Sequence, residues 1–316
     1  MKRLMLFIEP KAAQLNIFSQ FTLPRLGSFI LAGLVNRRSD WSGRVFVEGR
    51  RQFNLADWIA KHGRPEVVGI STITATVKRG YAIADECRAR GIPVVLGGAH
   101  VTFMPDEALE HAELVVRGEG EGAMNALLDL WREGYVETTH PGYTDVPNLS
   151  WKDAAGRIRH NAMAPWISDL DALPTPDFSL ADGTADCVIG RRRTVMVQTS
   201  RGCPFDCSFC SVTGMFGRKF RYRSVASVIE ELRRYDRPDH FVFFCDDNFT
   251  ANPRRARELV EAMIAERFQF QWSTQVRADL ARDPELVRLM KRAGCHTVFI
   301  GFESVNPQSL AEMNKS

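Results

Sequence analysis

No run of apolar residues in this 316-residue chain approaches the ~20 needed to cross a bilayer. The apolar start after Met1-Lys2-Arg3 stops at Glu9 and Pro10, too soon for the core of a secretory signal. A surplus of either charge is also missing. The 41 Lys and Arg stand against 38 Asp and Glu, a formal net charge of +3, which argues against a general binder of nucleic acid. Cysteine is sparse and unevenly placed: of seven, four (Cys87, Cys187, Cys245, Cys295) are scattered. An odd, dispersed set is no disulfide framework and suits a reducing compartment. The expectation is a cytoplasmic protein without a transmembrane segment, and 45% hydrophobic content at this length allows two sizeable cores.

The other three cysteines are crowded together. Cys203, Cys207 and Cys210 stand in the run Arg-Gly-Cys-Pro-Phe-Asp-Cys-Ser-Phe-Cys, directly after an apolar, strand-like stretch. A four-iron, four-sulfur cube normally takes four cysteine ligands, so a trio with no fourth nearby leaves one iron for a small molecule. The plainer readings are a redox pair or a three-cysteine zinc site. Zinc would want a histidine as fourth ligand, and none lies close in sequence. The CxxxCxxC spacing, with Phe209 before the last cysteine, resembles the signature of the radical S-adenosylmethionine (SAM) enzymes. That resemblance implies a 4Fe-4S cluster on Cys203, Cys207 and Cys210, with Phe209 beside SAM. It also implies SAM chelating the open iron through its amino and carboxylate groups, and reductive cleavage to a 5'-deoxyadenosyl radical. The electron would come from a reductant such as ferredoxin or flavodoxin.

Before the cysteines, short apolar runs alternate with helical patterns, the arrangement of a doubly wound parallel sheet of Rossmann or flavodoxin type. Strands are predicted at Arg3 to Ile8, Arg44 to Val47, Val67 to Ser71, Pro93 to Leu96 and Leu114 to Val116. Helices are predicted to start near Pro24, Asn54, Thr76, Pro105 and Glu121. Ligands of such sheets sit beyond the carboxyl ends of the strands, where this chain has Ser71-Thr72, Gly97-Gly98-Ala99-His100 and Gly118-Glu119. A five-stranded domain of this kind ahead of a CxxxCxxC domain resembles the cobalamin-binding domain of cobalamin-dependent radical SAM proteins. The resemblance implies that Ser71, Gly97, Gly98, Gly118 and Glu119 touch cobalamin. For the glycines, the alternative is simply a tight turn after a strand. The Asp-x-His-x-x-Gly run by which some cobalamin proteins place histidine on cobalt is absent, and His100 reads as a polar loop residue or hydrogen-bond partner.

The expected domains are a cobalamin-binding domain over 1–137, a proline-rich connector over 138–190 and a radical SAM domain over 191–316. The connector has prolines 141, 147, 165, 174 and 176, with two short strands between Asn148 and His160. The last domain repeats one unit. Asn252-Pro253, Asp283-Pro284 and Asn306-Pro307 each pair a capping residue with a proline that needs no amide partner at the first helical position. Strands at Val195 to Thr199, Phe241 to Phe244, Gln271 to Val276 and Thr297 to Phe302 alternate with these helices, as in a TIM-type β/α barrel.

Barrel active sites form at the carboxyl ends of the strands. Asp246 and Asp247 follow the second strand, where the resembled family binds the methionine amino group, although this chain has Phe-Cys-Asp-Asp-Asn-Phe in place of Gly-Gly-Glu. Arg277 ends the third strand and Glu303 the fourth, both expected against the carboxylate or ribose of SAM. Capping and loop ion pairs are the ordinary alternatives for all four. Arg218, Lys219, Arg221 and Arg223, interleaved with Phe220 and Tyr222, read as a solvated loop rather than a nucleic-acid surface.

An eight-unit barrel takes about 250 residues, so 191–316 holds some four units and the barrel is expected to be incomplete, with truncation at the carboxyl end. The overall expectation is a cobalamin-dependent radical SAM methyltransferase acting on a small-molecule substrate. The alternatives are a cobalamin-assisted radical cyclase or rearrangement enzyme, and a non-catalytic iron-sulfur and cobalamin-binding fragment.

Overall fold

The structure, a computed structural model, describes residues 2–12, 23–49, 51–183, 187–189 and 192–315. It divides into two bodies. The first comprises Met1–Trp166 with Leu173–Ala185, the second Ile167–Ala172 with Asp186–Ser316.

The first body is one sheet with helices on both faces. Its strands are β1 (Arg3–Glu9), β2 (Trp41–Val47), β3 (Val67–Ser71), β4 (Val94–Gly97), β5 (Leu114–Val116), β6 (Leu149–Lys152), β7 (Ile158–His160) and β8 (Ala181–Gly183). They lie in the order β7-β6-β5-β4-β3-β1-β2-β8. The first five strands are parallel and run 2-1-3-4-5, the flavodoxin-like order whose ligand crevice lies at the β1/β3 switch point. Successive side chains of β1 point to opposite faces. Met5 and Phe7 join one core with Phe29, Trp41 and Trp131, while Leu6 and Ile8 join the other with Trp58, Val68 and Ile70.

The helices are α1 (Leu26–Asn36), α2 (Leu55–His62), α3 (Val77–Ala89), α4 (Ala99–Phe103), α5 (Pro105–Ala108) and α6 (Glu121–Leu130). Asn54 caps α2 by accepting from the Asp57 amide.

The sheet is wider than five strands. β6 pairs antiparallel with β5, β7 with β6, and β8 adds to β2 in parallel. These come from the stretch expected to be a connector. The physical reason is the edge that a five-stranded sheet leaves open: Leu149 and Trp151 cover β5 from the hairpin, both buried, and Tyr143 packs on Trp151.

The second body repeats strand and helix. Its strands are β9 (Cys187–Ile189), β10 (Arg192–Val197), β11 (Ser200–Arg201), β12 (Arg221–Tyr222), β13 (His240–Phe244), β14 (Gln271–Val276) and β15 (Cys295–Ile300). Its helices are α7 (Val212–Phe216), α8 (Val225–Arg233), α9 (Pro253–Glu266), α10 (Pro284–Arg292) and α11 (Pro307–Glu312). β10, β13, β14 and β15 are parallel neighbours, and β9 lies antiparallel on β10.

The three Asn/Asp-Pro starts perform as caps. Asn252 accepts from the Arg255 amide at 3.2 Å, Asp283 from Leu286 at 3.0 Å and Asn306 from Gln308 at 2.9 Å. β15 is one of the two outer strands of this sheet, with Phe299 half-exposed along it. Among the described residues, no helix is long and apolar enough to cross a membrane.

Candidate metal centre and cofactor sites

The cysteine loop is rooted by a two-stranded clasp. β11 pairs antiparallel with β12, so residues 202–220 leave and return at one place just beyond β10. Gly202, with φ +87°, starts the excursion. A Cβ there would sit 2.7 Å from the Lys219 carbonyl oxygen and 2.9 Å from that of Gly217, so only glycine lets the chain pass so close to its own return. The Cys210 amide donates to the Cys207 carbonyl at 3.0 Å, curling the second half of the loop.

Cys203, Cys207 and Cys210 are partly exposed free thiols, and Phe209 between them is 52% exposed. Burial pushes the Cys203 thiol up. A hydrogen bond from the Phe205 amide opposes this, and Asp247, Cys210 and Cys207 add to it. The loop thus brings three sulfurs together, with the Asp247 carboxyl acting on Cys203.

Among the described residues, no three His, Cys, Asp or Glu side chains converge as ligands of one ion would. A cube asks for no such convergence, because each cysteine holds a different iron. Three free thiols on a single loop therefore fit a 4Fe-4S cluster.

Asp246 and Asp247, adjacent in sequence after β13, have opposite environments. Asp246 is fully buried and accepts from the Thr199 amide at 3.2 Å, from Thr199 Oγ1 at 2.9 Å and from Ser200 Oγ. Burial raises its pKa while these donors pull it back. Its carboxylate ties the end of β13 to the segment that launches the cysteine loop. Asp247 is pushed up to about 7, first by burial and then by the charge of Asp246. A cation arriving there would restore its ionised form.

Arg277, just past β14, lies against the cysteine loop. Its guanidinium carbon sits 3.8 Å from the centroid of the Phe205 ring, and Nη1 is 3.8 Å from Cys207 Sγ. Glu303, at φ +60°, pairs through Oε1 with Lys315 Nζ at 3.0 Å, and that ammonium is 5.6 Å from the Phe209 ring centroid. Asn314 Nδ2 donates to the Asp206 carbonyl, and the Ser208 amide to that of Met313.

The basic run after the loop is not a solvated surface throughout. Arg221 is buried and donates to the Ile167 and Phe216 carbonyls. Arg223 forms a nearly buried ion pair with Glu231. Their charge is used internally, which corrects the expectation of a solvated loop.

In the first body, Ser71 and Gly97 end the paired strands β3 and β4, and Gly98, Gly118 and Glu119 follow β4 and β5. The Ser71 carbonyl accepts from Arg25 Nη2 at 2.7 Å. Gly98 has φ +100°, and a Cβ there would lie 2.4 Å from the Thr72 carbonyl oxygen. Thr102 Oγ1 donates to the Gly98 carbonyl at 2.8 Å and accepts from the Gly118 amide at 3.0 Å, so one hydroxyl staples the β4 and β5 ends. The Glu119 carbonyl accepts from the Asn148 side chain, and Glu119 itself is buried. His100 is on α4, with Nδ1 3.1 Å from Thr74 Oγ1 and Nε2 3.4 Å from Glu107 Oε1.

Sequence reasoning missed two buried glutamates at this end of the sheet. Glu9 accepts from the Arg25 amide, and Glu48 from the Phe53 and Lys11 amides and from the Arg79 fork. The available signal was an acid placed immediately after an apolar strand.

A 2-1-3-4-5 parallel sheet ahead of a β/α half-barrel, with three cysteines after its first parallel strand, defines a cofactor-binding domain joined to a radical SAM domain. Comparison with known proteins points the same way. The family model of the radical SAM superfamily matches residues 197–316, and that of the B12 binding domain matches residues 19–128. The chain is 31% identical to an uncharacterized methyltransferase of Pyrococcus horikoshii, over 99% of this chain and 68% of that protein. It is 30% identical to the anaerobic magnesium-protoporphyrin IX monomethyl ester cyclase of Rubrivivax gelatinosus, over 80% of this chain and 46% of that protein.

Its fold is similar to that of the radical SAM methyltransferase TsrM from Kitasatospora setae, solved with cobalamin and a 4Fe-4S cluster. The TM-score is 0.76 at 19% identity, covering 100% of this chain and 61% of that one. The chain therefore belongs to the radical SAM superfamily, among the members that carry a B12-binding domain. Cobalamin, SAM and a 4Fe-4S cluster are the cofactors of that group. The chain spans between about half and two thirds of the length of these relatives.

Proposed function

We propose that this chain is the cofactor-bearing part of a cobalamin-dependent radical SAM methyltransferase that methylates an unactivated carbon of a small-molecule substrate. The cobalamin part lies within 1–137 and the radical part within 191–316. The observation that carries the reading is the clasped loop of three free thiols, with the Asp247 carboxyl acting on Cys203. When bound, the cluster and SAM supply a radical initiator and cobalamin a methyl carrier.

The protein's own part is placement. Cys203, Cys207 and Cys210 would hold three irons, Asp247 would face the SAM ammonium with a charge-assisted bond, and half-exposed Phe209 would cover one side of the nucleotide. Asp246 acts one layer back, fixing the loop through Thr199 and Ser200. Ser71, Gly97, Gly98, Gly118 and Glu119 would border the cobalamin, the three glycines, two of them at positive φ, allowing a flat ring to approach. A low-potential reductant such as ferredoxin or flavodoxin would deliver the electron.

The test is anaerobic reconstitution with iron, sulfide, SAM and cobalamin. About four irons per chain and 5'-deoxyadenosine after reduction support radical chemistry, and methyl label passing from SAM to product supports the methyltransferase. The likeness to a cyclase favours one second reading, a radical cyclisation, which would give 5'-deoxyadenosine and a product without added methyl. A full cluster with no 5'-deoxyadenosine would make the chain a binding module.

A further inference from the structure

We infer that Arg277 is a positioning residue for the cluster, acting through Cys207 to stabilise its reduced state. This rests on the cysteine loop being the cluster site. Sequence alone placed Arg277 at the end of a strand, against the carboxylate or ribose of SAM. In the structure its guanidinium meets two residues of the cysteine loop, the Phe205 ring at 3.8 Å and the Cys207 sulfur at 3.8 Å.

The two contacts do different things. A guanidinium lying over an aromatic face is held by the ring quadrupole and by stacking of two flat groups. Phe205 therefore fixes the plane of Arg277, and Nη1 is left aimed at Cys207 Sγ. Arginine keeps its charge at any physiological pH, so this donor is permanent. Its anchor is the end of β14, paired on both sides by β13 and β15, which limits how far the head group can wander.

The potential of an iron-sulfur cluster depends on its net charge, the hydrogen bonds to its sulfurs and its exposure. A cube with three thiolates gains one negative charge when it accepts one electron from a low-potential donor. A fixed cation at one thiolate favours that more negative state, so Arg277 raises the midpoint potential.

The test compares anaerobically reconstituted wild-type chain with Arg277→Gln and Arg277→Lys. Iron and sulfide are quantified, and the cluster is titrated with titanium(III) citrate under EPR without SAM. In Arg277→Gln, with iron content kept, the reduced-to-oxidised ratio at fixed potential is expected to fall about tenfold, equal to about 59 mV for a one-electron couple. Arg277→Lys, which keeps the charge and loses the flat fork, is expected to recover part of that shift.

An unmoved midpoint in Arg277→Gln overturns the inference while leaving the cluster assignment intact. So does a midpoint that stays put in both variants while SAM ceases to perturb the EPR signal, since that is the behaviour of a SAM contact. If Arg277→Gln holds no iron, a midpoint lowered by less than about 59 mV in Arg277→Lys together with a lowered one in Phe205→Leu supports the inference, and an unmoved midpoint in Phe205→Leu overturns it. Wild-type chain without a four-iron cluster overturns the function proposed above and this inference together.

Discussion

The two bodies present their strand ends to ligands in contrasting ways. In the first, the groups at the ends of β3, β4 and β5 largely satisfy one another. Thr102 bridges Gly98 to Gly118, His100 lies between Thr74 and Glu107, and Arg25 caps the Ser71 carbonyl. In the second, burial raises the pKa of the Cys203 thiol, with Asp247 and the other two loop cysteines adding to it, and burial with the charge of Asp246 raises that of Asp247. A surface that has already satisfied its polar groups receives a ligand by shape. A surface that gathers thiols and a buried acid is suited to receive one by chemistry.

The largest effect that would sharpen this contrast is at the cysteines. Cys203→Ala should abolish cluster binding, read as loss of iron and of the visible absorption of the reconstituted protein, with unchanged far-ultraviolet circular dichroism. No single residue of the first body should act so absolutely on its ligand, because the strand-end groups there already bond to one another.

Next come the paired aspartates. Asp246→Ala strands the Thr199 amide and two hydroxyls in a buried place, and should cost about 3 kcal/mol by denaturant unfolding. Asp247→Asn should leave stability unchanged or higher, since it removes a carboxylate whose ionisation burial opposes, and should weaken SAM binding measured by calorimetry. Equal losses of stability in both would remove the distinction between a structural and a ligand-facing acid.

In the first body, Gly98→Ala forces a Cβ against the Thr72 backbone at positive φ and should cost about 2–3 kcal/mol. Gly97→Ala meets nothing nearer than the Val116 carbonyl oxygen at 3.9 Å and should stay within about 1 kcal/mol. Cobalamin binding that survives Gly97→Ala and fails in Gly97→Phe would show shape at work.

The smallest effect is at the β6–β7 hairpin. The amides of Arg157 and Ala155 and the side chains of Arg159 and Arg157 hold Asp153, bringing its pKa down to about 2. A depressed carboxyl contributes stability above its unfolded pKa of about 3.9 and loses it as pH falls toward 2. The small stability gap between wild type and Asp153→Asn should therefore be constant above about pH 5 and shrink below pH 4.

What could be read from sequence follows the range of the forces involved. The Asn-Pro and Asp-Pro helix starts were legible because a cap and its amide lie two or three residues apart. The cysteine loop stood out because its three thiols sit within eight residues. Strands β3, β5 and β14 were legible to the residue, the first two because apolar runs bounded by turn residues mark them.

Non-local pairing was not legible. Nothing near Leu149 says that it will cover β5, and nothing near Ala181 says that it will extend β2. The short helix α4 was hidden between Gly98 and Met104, its staple being the distant Gly118 amide. The split between Asp246 and Asp247 was equally hidden, since it depends on Thr199 and Ser200, more than forty residues away in the chain. Arg221 and Arg223 looked solvated for the same reason.

The most direct measurement is iron and acid-labile sulfide per chain after anaerobic reconstitution, with the EPR spectrum of the reduced protein recorded before and after SAM. The account predicts about four of each, a signal that SAM alters, and loss of both in the Cys203→Ala, Cys207→Ala, Cys210→Ala triple variant. One zinc per chain in place of the cluster, or iron retained by the triple variant, would contradict it.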